Sequence, residues 1–309
     1  MTRAMETLEQ IQETLSEINK RTPEVSVFKF VTRVLLTLGT EHAPSAREAG
    51  HGRGKERPCA LRMDWAACVL PQHGEDAHFG HAEAGFIGVA DGVGGYRDYG
   101  VDAGAFAREL MASALAKVEL AARAGKIRRL RPAGVLERAY ETTVIKGTPG
   151  ASTAVVLSLD RSTLRWAYIG DSAFAVLRRG RIVHRSAVQQ HRFNCPLTDA
   201  EVGAMPVKDG DVVVAGTDGL FDNVHDDQLA RAVQMATELG FSPKNTADII
   251  AGIAYSVSKS ERACSPFSLG YRKAYGEGTY GGKEDDITVI VAYIVSKNSS
   301  SKDGICLKN

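Results

Sequence analysis

The 309-residue sequence predicts an α+β sandwich. Short strand-like runs come in local clusters instead of alternating one by one with helices, and the long helical periodicities are grouped between those clusters. A hydrophobic content of 44% is enough for one large core but leaves little room for two full enzymes.

The elements follow in order. Residues 4–19 carry Met5, Leu8, Ile11, Leu15 and Ile18 at helical spacing, with Glu6, Glu9, Glu13 and Glu17 among the polar positions, which predicts an amphipathic helix. Those glutamates argue against a transit peptide. The apolar stretch Val25 to Leu38 is broken by Lys29, Thr32 and Arg33, too short and too charged for a membrane span, and packing on the domain is preferred to lying on a membrane surface. Residues 40–58 are rich in Gly and charge and read as a mobile linker. The organisation expected is therefore a helix and linker over 1–58, a catalytic domain over 59–297 and a disordered tail over 298–309.

Within the domain, Phe86 to Ala90 reads as a buried strand entering the Asp91-Gly92 turn. Helical stretches follow over 101–123 and 133–145, the second started by Pro132. Ser152 to Leu159, Leu164 to Ile169, Ala173 to Leu177 and Arg181 to His184 form a meander of short strands separated by turn residues. Asp211 to Ala215 is a strand ending at Thr217-Asp218-Gly219. Helices over 226–239 and 243–259 precede a Gly- and Tyr-rich loop, and Ile287 to Val295 is the last strand.

The net charge is +1, so no field over the whole chain draws it to nucleic acid or an acidic membrane. Five widely spaced cysteines without a Cys-x-x-Cys pair read as thiols of a reducing compartment. None is followed six residues later by Arg, which excludes cysteine-phosphatase chemistry, and no P-loop spacing exists around Gly282-Lys283. His73, His78 and His81 lack matching distant zinc ligands and read as surface or core histidines.

The chemistry lies in the acids. Asp76, Asp91, Asp218 and Asp285 each fall at or beside a strand boundary, three with glycine close by. Hard divalent cations want several carboxylate and carbonyl oxygens at about 2 to 2.5 Å, and strand ends in a packed sheet hold such groups in place. GEDA at 74–77, GVADGVGG at 88–95, GASTAVV at 150–156, IGDSAF at 169–174, TDGLFDN at 217–223 and EDDIT at 284–288 together resemble the motif series of the PPM-type metal-dependent serine/threonine protein phosphatases. DGVGG followed by RDYGVD resembles the branch that includes mitochondrial members. The resemblance implies an α-β-β-α sandwich, two central and mostly antiparallel sheets flanked by helices. It implies two Mg²⁺ or Mn²⁺ ions, with Asp91 bridging both, the Gly92 carbonyl on one, and Asp218 and Asp285 completing the second. Asp76, supported by Glu75, would hold metal-bound water, and Asp286 would orient Asp285 or that water. Asp91, Asp218 and Asp76 are thus the expected catalytic residues. The implied reaction is hydrolysis of phosphoserine or phosphothreonine in proteins by a metal-activated water without a covalent phosphoenzyme.

The sequence departs from that pattern in three places. Pro71 stands where the family has its phosphate-gripping Arg, Val93 where a His proposed as general acid often stands, and Thr148 where an acid supports a possible third metal. Arg97 and Lys283 lie near the motifs and read as solvated surface charges. A pseudophosphatase that scaffolds phosphoproteins is the alternative function, and small phosphate esters are alternative substrates. The expected partners are phosphoproteins, with no nucleic acid and no transmembrane segment. The expected state is a monomer in the cytoplasm, with mitochondria as the alternative.

Overall fold

The computed structural model describes residues 60–192, 195–196, 200–276 and 280–297. The helix and linker expected over 1–58 and the tail over 298–309 lie outside the described residues. The elements are β1 (Leu61–Leu70), β2 (Asp76–His81), β3 (Phe86–Asp91), α1 (Ala103–Arg123), α2 (Pro132–Ile145), β4 (Ala154–Asp160), β5 (Thr163–Ile169), β6 (Ala173–Arg178), β7 (Arg181–Arg185), β8 (Gln190–Arg192), β9 (Cys195–Pro196), β10 (Glu201–Pro206), β11 (Val212–Gly216), α3 (Asp218–Phe221), α4 (Asp226–Glu238), α5 (Pro243–Ser258), α6 (Pro266–Tyr275) and β12 (Ile287–Ser296).

Two five-stranded sheets, ordered β1-β12-β11-β6-β7 and β10-β5-β4-β3-β2, carry the fold, and every pair within them is antiparallel. Strands β11 and β12 are nearly continuous apolar runs, VVVAG and ITVIVAYIVS, because both of their faces are covered. On one face Val213, Ala215, Ile290 and Ala292 join Ile87, Val155, Leu157 and Trp166 of the other sheet. On the other face Val212, Val214, Val289 and Val291 meet Leu229, Val233, Ile250 and Ala254 of α4 and α5. The second sheet packs its far face on Phe106, Leu110, Met111 and Val118 of α1 and Val135 and Ala139 of α2. The layers are therefore α-β-β-α, as expected.

Helix starts follow ordinary capping. The Asp102 carboxylate accepts from the Gly104 N–H, Ser242 accepts from the Asn245 N–H, and Pro132 and Pro243 occupy first-turn positions. The segment read as a Gly- and Tyr-rich loop contains α6, capped by Ser265 with Pro266 behind it. That start signal is short, and the ten residues after it bury only Ser268, so no apolar stripe announces the helix. Among the described residues no helix is long and apolar enough to cross a membrane.

Candidate functional site

The antiparallel register of β2 and β3 places Asp76 opposite Asp91, at the start of one strand and the end of the next. In the other sheet β11 ends at Gly216, and Thr217-Asp218 follows at once, while Asp285-Asp286 leads directly into β12. The Thr217 hydroxyl joins the two sheets, donating to Asp76 Oδ2 at 2.9 Å and accepting from the Thr288 N–H at 3.2 Å. The four acids singled out by sequence thus come together from both sheets.

Their scaffold is tight. Gly92 N–H donates to the Glu75 carbonyl at 3.1 Å, and a Cβ built on Gly92 would stand 2.0 Å from the Ala103 carbonyl oxygen at the start of α1. Gly219 is confined in the same way, its would-be Cβ 2.0 Å from the Asp286 carbonyl. Thr153 braces Asp91, accepting its N–H at 3.2 Å and donating its own N–H to the Asp91 carbonyl at 2.8 Å, and the Ser172 hydroxyl lies 2.6 Å from that of Thr153.

Asp286 is a clamp. Its carboxylate accepts backbone N–H groups from Gln72, from His73 at 2.6 Å, Gly74 at 3.1 Å, Glu75 at 2.5 Å and Asp76 at 3.4 Å. Burial alone would push this carboxyl up, but the donors from Glu75, His73, Gln72 and Gly74 outweigh it and hold Asp286 below the usual carboxylate range. The residue fixes the turn that aims Glu75 and Asp76, and Asp285 Oδ1 accepts its N–H at 2.9 Å.

The other acids are pushed the opposite way. Burial raises Asp91 well above the usual range, and Asp218, Asp76 and Asp285 add repulsion. Burial likewise raises Asp76 well above it, against the hydroxyls of Thr288 and Thr217. Asp285 and Glu75 are raised by burial despite Lys283 beside the first and Arg97 beside the second. Asp222, on the same face as Asp218, is raised to about 7, by burial first and by Asp218 next.

Two buried oxygens, Asp76 Oδ1 and Asp218 Oδ1, accept no hydrogen bond, and a third, Glu75 Oε1, accepts none but lies 3.1 Å from Arg97 Nε in an ion pair. Glu75, Asp76, Asp91, Asp218, Asp222, Asp285 and Asp286 are seven carboxyl groups, and among the described residues two fixed cations form ion pairs with them. Unpaired carboxylate oxygens in excess of local positive charge are the donor set of a hard divalent cation, so these residues fit one. His73 stands at the edge, its Nδ1 3.7 Å from Asp285 Oδ1, and one ligand atom from each of His73, Glu75 and Asp285 lies within 4.8 Å of the others.

A family model described as Stage II sporulation protein E (SpoIIE) matches residues 86–295. Putative protein phosphatase 2C 23 of Oryza sativa subsp. japonica is 48% identical over 97% of this chain and 100% of its own. The chain belongs to the PP2C, or PPM, family of protein phosphatases. A PTC7 homolog of Xenopus laevis is a further PP2C-type relative, 36% identical over 76% of this chain and 87% of its own. The photosystem II phosphatase PBCP superposes with a TM-score of 0.67 at 27% identity, covering 75% of this chain and 98% of that one. The catalytic domain of the serine threonine protein phosphatase PstP, solved with two manganese ions, shares the fold at a TM-score of 0.54 and 18% identity.

In this PP2C chain the two cations near the motifs differ from their reading as surface charges. Arg97 is half exposed but holds Nε 3.1 Å from Glu75 Oε1. Lys283 is mostly buried, its ammonium paired with Asp218 and lying 3.1 Å from Asp285 Oδ2 and 3.3 Å from Asp222 Oδ2. Asp222 had a signal in the sequence, four residues after Asp218 and so on the same helix face. Lys283 had a weaker one, two residues before Asp285 and therefore on the same side of an extended segment.

Proposed function

We propose that the chain is a metal-dependent serine/threonine phosphatase acting on phosphoproteins, with Asp76, Asp91, the Gly92 carbonyl, Asp218 and Asp285 holding two Mg²⁺ or Mn²⁺ ions. The convergence of Asp76, Asp91, Asp218 and Asp285, with buried oxygens that accept no hydrogen bond, carries the proposal. Bound ions of this kind supply Lewis-acid charge that acidifies a water and neutralises the phosphoryl oxygens. Asp91, which has Asp76 on its own sheet and Asp218 and Asp285 on the other close by, would hold both ions. Asp76 is oriented by the Thr217 hydroxyl to accept a hydrogen bond from the attacking water, and Glu75 is aimed beside it by the Asp286 clamp. The water oxygen bonds to phosphorus as the ester P–O bond breaks, and the seryl or threonyl oxygen leaves with a proton. No side chain need be phosphorylated. One chain brings all these groups together, so a monomer suffices for the reaction.

Hydrolysis of a phosphothreonine peptide in Mn²⁺ or Mg²⁺ against EDTA, for the wild type, Asp91→Asn and Asp218→Asn, tests the proposal. Metal-dependent turnover lost in both variants supports it. Metal binding without turnover on peptides or small esters would favour the scaffold reading instead.

A further inference from the structure

Lys283 is anchored as firmly as the acids it faces. Its backbone N–H donates to Asn223 Oδ1 at 2.9 Å, and its carbonyl accepts from Asn223 Nδ2 at 2.9 Å. The same side-chain amide donates to the Gly219 carbonyl at 2.9 Å, and Asn223 is fully buried. One amide therefore ties residue 283 to the short helix that begins with Asp218 and is capped by Asp222. The Lys283 side chain is only 15% exposed, and its ammonium reaches Asp218, Asp222 and Asp285 together. Surface lysines keep their ammonium in water and gain little from a single ion pair. An ammonium withdrawn from water among three carboxylates is weakly screened and interacts strongly with each.

We infer that Lys283 is a built-in cation of the centre, which holds Asp218, Asp222 and Asp285 together without metal and competes with a divalent cation for Asp218 and Asp285. This rests on the metal reading above. The lysine touches the acids of α3 and of the β12 lead-in, whereas Asp76 and Asp91 have no ion-pair partner among the described residues. It thus sets the affinity of the Asp218 and Asp285 side of the centre. A merely structural lysine would do the reverse, since its loss would loosen the ligands and weaken metal binding.

Calorimetric titration of Mn²⁺ into the full chain, after removal of metal, separates the two. Lys283→Met is expected to bind Mn²⁺ about tenfold more tightly than the wild type. Its metal-free Tm falls, and its Tm rises further on adding Mn²⁺. Lys283→Arg keeps the charge and the wild-type affinity. Lys283→Gln, which can still hydrogen-bond to the carboxylates, moves in the direction of Lys283→Met and serves if that variant does not fold. Equal or weaker Mn²⁺ binding by the neutral variants, beside a wild type that binds, overturns the inference alone. No Mn²⁺ binding by any of the chains overturns the metal reading and this inference with it.

Discussion

The two halves of the acid centre are compensated differently. On the β2-β3 side, Asp76 and Asp91 face each other across one register pair and have neutral supports, the Thr217 hydroxyl donating to the Asp76 carboxylate and the Thr153 hydroxyl accepting from the Asp91 N–H. On the β11-β12 side, Asp218, Asp222 and Asp285 share the Lys283 ammonium. Burial raises acids on both sides, but the charge that offsets it reaches Asp222 and Asp285 in direct contact, and Asp91 only at longer range. The lesson is that one fold can neutralise part of a carboxylate cluster with its own lysine and leave the remainder without an ion-pair partner among the described residues.

The difference can be broken most severely at its unneutralised half. Asp91→Asn should lower kcat on a phosphothreonine peptide by about a hundredfold or more, as loss of one preorganised electrostatic group in a water-poor site does. Steady-state kinetics at saturating Mn²⁺ checks it, and a loss below tenfold would remove Asp91 from the centre of the reaction. Asp286→Ala releases the 72–76 turn that aims Glu75 and Asp76, and should cost about 10- to 100-fold in Mn²⁺ affinity or activity. Asp286→Asn is the informative companion, because it retains one acceptor oxygen and should recover part of the loss. Gly92→Ala drives a methyl into the Ala103 carbonyl and should destabilise the chain by about 1–3 kcal/mol in urea unfolding, with α1 displaced from the site.

The smallest effect is the sharpest. In EDTA the folded chain binds more protons at Asp76 and Asp91 than the unfolded chain, because both carboxyls are raised by burial. Their stability contribution is therefore present at low pH and is lost as pH rises above about 4, where unfolded carboxyls ionise. Urea midpoints in EDTA should fall as the pH is raised from about 4 to 7, Mn²⁺ should flatten the slope, and Asp91→Asn should be more stable than the wild type at pH 7 without metal. A wild type that gains stability over that range would show that these carboxylates are already compensated.

Much of the fold was legible in the sequence, and its misses have a common cause. Strands β11 and β12 announce themselves as apolar runs because both faces are covered. Strand β1, at the sheet edge, mixes Arg62 and Asp64 with apolar residues and gave no clear signal, and β10, on the edge of the other sheet, is mostly exposed. Strand β2 is short and its two histidines and single Phe break the pattern. The site was legible where its residues lie inside a motif. Lys283 was misread because Asn223 and Asp218, which bury it, precede it by 60 and 65 residues, a pairing no local pattern records. Arg97 looked like a surface charge, and half of it is, but its partner Glu75 is buried.

The Asp286 carboxylate makes the centre cooperative with the fold as a whole. It leads into a strand of one sheet and grips the turn that opens a strand of the other, so the sheets cannot part while the clamp holds. A chain that begins to melt at this seam loses the aim of Glu75 and Asp76 in the same event. Thermal inactivation and unfolding should then share one midpoint, leaving no half-folded species with residual, indiscriminate hydrolase activity.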